Sequence, residues 1–236
     1  MNAQNEELKW EKYLAETPQI DYSSLEVQQF IRTIPVHTNP VQQAISIYET
    51  VRDSFLYDPY HLDLRPESLK ASVVVSKKRA WCVEKSLLAC ACFRAFGFPA
   101  RLGFGIVKNH IGVEKLKSYL KRDEIVFHGY VEVYLNGKWS KCTPAFDPRI
   151  CKLSGVPLLE WNGSDDSLFQ AFVENNQFME YLHFYGEFDD IPFELMHREM
   201  KAYYPDLFDN PVDTKAFSFH FDPKLAFNHQ EDRTKN

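Results

Sequence analysis

The stretch from Lys77 to Gly105, KKRAWCVEKSLLACACFRAFGFPARLGFG, decides the fold by the way it divides. After Cys82, the residues Lys85, Leu88, Ala91, Cys92, Ala95 and Phe96 recur at helical spacing with Leu87 beside them. The pattern predicts a helix of about four turns, so apolar throughout that burial on most sides is expected. Gly97 suits the left-handed position just past a helix end, with Pro99 shortly beyond it. ARLGFGIV (100–107) then reads as a strand. The three cysteines of the segment are not equivalent. Cys82 stands where the helix begins, where backbone N–H groups and the macrodipole favour the reactive thiolate. Cys90 and Cys92 fall inside the apolar helix, where a thiol behaves as a small hydrophobe.

Working outward, residues 108–125 read as a mobile, charged loop or short helix. They lead into FHGYVEVYL-NG-KWSKCTPAFD, in which Asn136-Gly137 between two period-2 runs predicts a hairpin with a two-residue type I′ turn. Leu135 then faces Lys138, Tyr134 faces Trp139, Glu132 faces Lys141 and Val131 faces Cys142, all favourable cross-strand pairs. The predicted strands are 127–135 and 138–146, with Gly129, Val131, Val133 and Leu135 on the core face. His128, Tyr130, Glu132 and Tyr134 occupy the polar face. Extending the register puts Ala145 opposite His128, with Thr143 and Asp147 as its diagonal neighbours.

Upstream, Asn39 before Pro40 caps an amphipathic helix running to about Tyr57, and 58–76 is mostly connection. Beyond Cys151 the chain is rich in aromatic residues and helix formers. Ser164 or Asp166 is placed to cap a start, and FELMHREMKAYY reads as a further helix. The expected organisation is an N-terminal extension (1–38), a core (39–152), a mostly helical extension packed on it (153–221) and a frayed tail (222–236).

At 236 residues, 44% hydrophobic and 25% charged, the chain is long enough for one well-buried domain with additions. A formal net charge of -6 and a pI near 5.8 argue against nucleic acid as a partner. No secretory leader and no membrane-length apolar run is visible, so a cytoplasmic location without membrane partners is expected. Five cysteines without a C-x-x-C pair do not support structural disulfides or zinc, and His61, His110, His183 and His197 form no ligand spacing. No metal or cofactor is expected. Cys142 and Cys151 read as core or loop thiols, and Glu132 as the partner of Lys141.

A nucleophilic cysteine needs a base within reach and a third group to orient that base. On residues alone, Cys82 and His128 supply the first two, and Asp147 offers a charge that Thr143 lacks. The order of these elements resembles the transglutaminase-like superfamily of the papain-like cysteine enzymes, over about residues 55–147. The resemblance rests on WCVEKSLLACACFRAFGFPARLGFG, similar to that family's cysteine helix and following strand, and on HGYVEVYLNGKW, similar to its histidine strand. It implies an α+β papain-like core, with the nucleophile-bearing helix packed on an antiparallel sheet and helical additions at both ends. It also implies Cys82 as nucleophile, with its own backbone N–H as an oxyanion donor, and His128 as general base and acid. Where the family places its aspartate this chain has Thr143, so the triad's acid is either moved to Asp147 or missing, Asp147 then being a turn residue before Pro148. Trp81 and Tyr130 are the candidate substrate-side residues. The implied reaction is acyl transfer from a peptide or protein amide through a thioester, with hydrolysis favoured over cross-linking. The alternative is an inactive module that binds a peptide or protein in the former groove.

Overall fold

The computed structural model describes residues 10–109, 117, 120–168, 179–208 and 218–220. The expected loop at 108–125 lies largely outside them, as does the tail after His220. In chain order the elements are α1 (Leu25–Ile31), α2 (Pro40–Ser54), β1 (Leu56–Tyr57), β2 (His61–Asp63), α3 (Ala71–Val74), β3 (Arg79–Ala80), α4 (Cys82–Ala95), β4 (Ala100–Asn109), β5 (Glu124–Leu135), β6 (Lys138–Cys142), α5 (Pro148–Ser154), β7 (Met179–Phe188), α6 (Phe193–Tyr203), α7 (Pro205–Phe208) and β8 (Ser218–His220).

The helix boundaries have local causes. Asn39 Oδ1 accepts from Val41 N at 2.9 Å and Gln42 N at 3.1 Å, with Pro40 at the first helical position. That helix stops at Ser54, short of Tyr57, because Leu56 and Tyr57 leave it to pair in parallel with Arg79 and Ala80. At the end of α4, Gly97 has φ +81°, Phe98 N donates to Phe93 O and Gly97 N to Arg94 O, the paired bonds of a Schellman motif. Arg94 is buried there with three acceptors, the carbonyls of Ala15, Ala100 and Asp189.

The main sheet is antiparallel in the order β6-β5-β4-β7. Asn136 (φ 51°) and Gly137 (φ 85°) both take the left-handed conformation a type I′ turn requires. The hairpin pairs Val131 with Cys142, Glu132 with Lys141, Tyr134 with Trp139 and Leu135 with Lys138, as the sequence predicts. The extrapolation beyond it is corrected, because β6 ends at Cys142 instead of 146. Thr143 N donates to Ser167 O, Ser167 N to Lys141 O and Asp166 accepts from Lys141 N, so the turn around 162–167 takes over the pairing and starts no helix.

The polar face of β5 is also corrected. His128 and Tyr130 are buried, and Glu132 is 6% exposed. The carboxylate of Glu132 bonds Arg101 from β4 and Lys141 from β6, while Trp10 and Tyr13 pack over Tyr134 and Trp139. The expectation of a mostly helical 153–221 fails over β7. Met179–Phe188 adds to the open edge of β4, where aromatic residues pack well on a pleated surface. The helix read in FELMHREMKAYY is α6.

Candidate active site

Cys82 is the first residue of α4, and the side chain of Glu84 reaches back to the Trp81 N–H at 3.2 Å, closing the helix start. The histidine strand lies directly against this turn. A Cβ added at Gly129 would come 3.0 Å from Val83 Cα and 3.2 Å from Val83 N, so a larger residue would crowd the helix backbone and glycine allows the close approach. One residue earlier is His128, paired with Gly105 across the sheet. Just before it, Phe127 has φ +60°, and β4 is irregular between Gly105 and Val107. A left-handed conformation is unfavourable for phenylalanine. It is held here by the packing of the Phe127 ring against Phe104 and Tyr185.

Cys82 is 2% exposed and His128 1% exposed. Burial pushes the Cys82 thiol up to about 11, against the opposing pull of backbone hydrogen bonds from Gly129, Val83 and Cys82 itself. Burial also lowers His128 to about 4. At neutral pH these groups are therefore a thiol and a neutral imidazole, and no hydrogen bond joins them. The His128 ring lies near-parallel to Phe146 at 6.5 Å and edge-on to Tyr181 at 5.9 Å, and its Nε2 has no hydrogen-bond partner.

Asp147 is buried but engaged elsewhere. Its Oδ1 accepts from Arg149 N and Ile150 N at the start of α5, and its Oδ2 accepts from Tyr57 N at 2.7 Å. No hydrogen bond joins it to His128. Thr143 is buried too, with an unpartnered Oγ1. Trp81 is 4% exposed with an unpartnered Nε1. Tyr130 stands apart from this group, because its hydroxyl donates to Glu187 at 3.0 Å and its ring fills the space above Gly103.

Three residues of this neighbourhood carry no role in the sequence reading. Tyr57 sets its ring on Phe146 at 4.7 Å, and its hydroxyl approaches the Cys82 thiol. Tyr181 enters from β7, whose register against β4 shifts twice, so no simple alternation in the sequence marks it. Lys85, one turn beyond Cys82, is fully buried, and its Nζ donates to Arg52 O at 2.7 Å, Ala145 O at 2.8 Å and Phe55 O at 3.0 Å. All five cysteines are free and buried. Among the described residues no group of three or more His, Cys, Asp or Glu is placed to hold a metal ion, and no helix is long and apolar enough to cross a membrane.

A cysteine at the first turn of a buried helix, laid on the histidine strand of an antiparallel sheet, belongs to the papain-like α+β fold. Residues 28–144 match the family model of the transglutaminase-like superfamily, and over that span the chain belongs to it. A solved structure of a candidate cysteine protease from Cytophaga hutchinsonii is similar over 58% of this chain, with 15% identity and a TM-score of 0.45. The match covers 42% of that protein, so this chain spans less than half of it. No curated protein matches.

Proposed function

We propose that the protein carries out cysteine-dependent acyl transfer from an amide of a peptide or protein, with Cys82 as nucleophile and His128 as base and acid. The observation that carries this reading is the contact of Gly129 with the first turn of α4, which sets the His128 strand against Cys82. His128 takes the thiol proton, the sulfur attacks the carbonyl carbon, and the protonated imidazole returns the proton to the leaving amine. Water then resolves the thioester, giving hydrolysis, or a second amine gives transfer. Asp147, the acid proposed from the sequence, acts in this reading by holding Tyr57 and the start of α5. The unpartnered Nε2 of His128 and the threonine at 143 favour the second reading, an inactive module that binds a peptide in the former groove.

Iodoacetamide labelling with mass mapping of each cysteine separates the two. The enzyme reading expects Cys82 to be labelled ahead of Cys90, Cys92, Cys142 and Cys151, and His128→Ala to slow that labelling by about tenfold or more. Labelling without preference, or indifferent to His128, supports the binding module.

A further inference from the structure

Tyr181 brings into this site a group that the chemistry above leaves unused. Its hydroxyl is buried and has no hydrogen-bond partner, although the ring is partly exposed. Unmade hydrogen bonds at buried hydroxyls cost free energy and call for an explanation. The Thr143 hydroxyl is near enough to act on the phenol as a hydrogen-bonding neighbour and oppose the effect of burial, but the two groups do not meet in hydrogen-bond geometry, and Thr143 has no other partner. The ring itself is firmly placed: it stacks on Phe184 at 4.8 Å and 3°, meets Tyr130 edge-on at 6.1 Å, and meets the His128 ring at 5.9 Å and 75°. A donor fixed by such packing needs no reorganisation when charge develops beside it. Burial pushes the phenol well above its ordinary range, with the Cys82 sulfur close enough to contribute, so the group remains a protonated donor.

The geometry points to Tyr181 as a catalytic residue, the second donor to the oxygen of the carbonyl that Cys82 attacks. This rests on the acyl-transfer reading. As the thiol proton passes to His128, the sulfur pair forms the S–C bond and the C=O π pair moves onto oxygen. The Tyr181 O–H and the Cys82 backbone N–H donate to that oxyanion without losing their protons. Collapse restores C=O and breaks the bond to the leaving group, which an amide releases as an amine with the proton from His128.

The test compares two reactions at Cys82 in the full chain, wild type against Tyr181→Phe. Acetylation by 4-nitrophenyl acetate passes through an oxyanion and releases nitrophenolate; alkylation by iodoacetamide does not form one. Acetylation, mapped to Cys82 by mass, is expected to fall by roughly 10²-fold, the usual loss for one oxyanion donor, while alkylation keeps its rate. The urea midpoint is expected to equal or exceed that of wild type, since the hydroxyl removed has no partner. Equal slowing of both reactions, no slowing of acetylation, or absence of acetylation at Cys82 in the wild type overturns the assignment. His128→Ala distinguishes the failure of the underlying reading: if neither reaction changes in that variant, His128 is not the base, whatever Tyr181→Phe shows.

Discussion

Asp147 shows what a single residue's partners decide. By strand parity it flanks the position facing His128, but that parity holds only while the chain remains a strand, and β6 ends at Cys142. The path of the chain after Cys142 is set by the turn at Ser167 and by Pro148, which makes Asp147 a helix cap with a further bond to Tyr57 N. Asp147→Asn is expected to destabilise by about 1 kcal/mol, the usual scale for a weakened cap or a single lost hydrogen bond, read from the urea midpoint. The apparent pKa of iodoacetamide labelling at Cys82 should stay where it is, because burial and backbone, not Asp147, govern the Cys82 and His128 values. A displaced profile would return this carboxylate to the triad. Cys82 and His128 are legible because each stands on a local signal, a helix start and a strand position. The engagement of Asp147 is not, because it depends on where distant segments meet.

At the scale of elements, the start and stop of α4 and the register of the hairpin are readable to the residue, since spacing, the Gly97 stop and the Asn136-Gly137 turn are local chemistry, whereas the extents of the hairpin strands are not. The strand at Met179–Phe188 escapes such a reading because the open edge of β4 decides it, and no window of sequence contains that edge. Two further joints tie elements around Cys82. The buried Lys85 ammonium pins the end of α2, the approach to β1 and the segment before α5 to α4. Burial lowers this group to about 7, with Asp147 opposing. Lys85→Met would leave three buried carbonyls unpaired, and a loss of about 3 kcal/mol or more in urea unfolding is expected. The other joint is Gly129, where a methyl group would fit between β5 and α4 only if the helix backbone gave way by a few tenths of an ångström. Gly129→Ala is expected to cost about 1–3 kcal/mol by overpacking and to slow alkylation of Cys82, because the strand that carries His128 must move off the helix start. Unchanged stability would mean that the contact is softer than its distances imply.

For the molecule as a whole, stability against acid follows from enclosing an imidazole in this fold. β7 closes one edge of the sheet and brings Tyr181 onto His128, while Phe146 covers the other side. The neighbouring charges on this sheet are paired among themselves, Arg101 and Lys141 with Glu132, and Lys141 with Glu187, and burial alone sets the His128 value. With its folded value near 4 against an ordinary 6.5, His128 takes up a proton in the unfolded chain first. The stability that depends on its neutral form is complete above about pH 6.5 and is lost as pH falls toward 4, amounting to about 3 kcal/mol for a shift of this size. Urea midpoints measured between these limits should fall steeply in the wild type and more shallowly in His128→Phe, which keeps an aromatic ring in the cavity and has no proton to take up. Carboxylates elsewhere titrate in both proteins, so the difference between the two curves isolates the histidine. Parallel curves would mean that water or a counter-charge reaches His128, and the closed, neutral pair described for Cys82 and His128 would then be wrong.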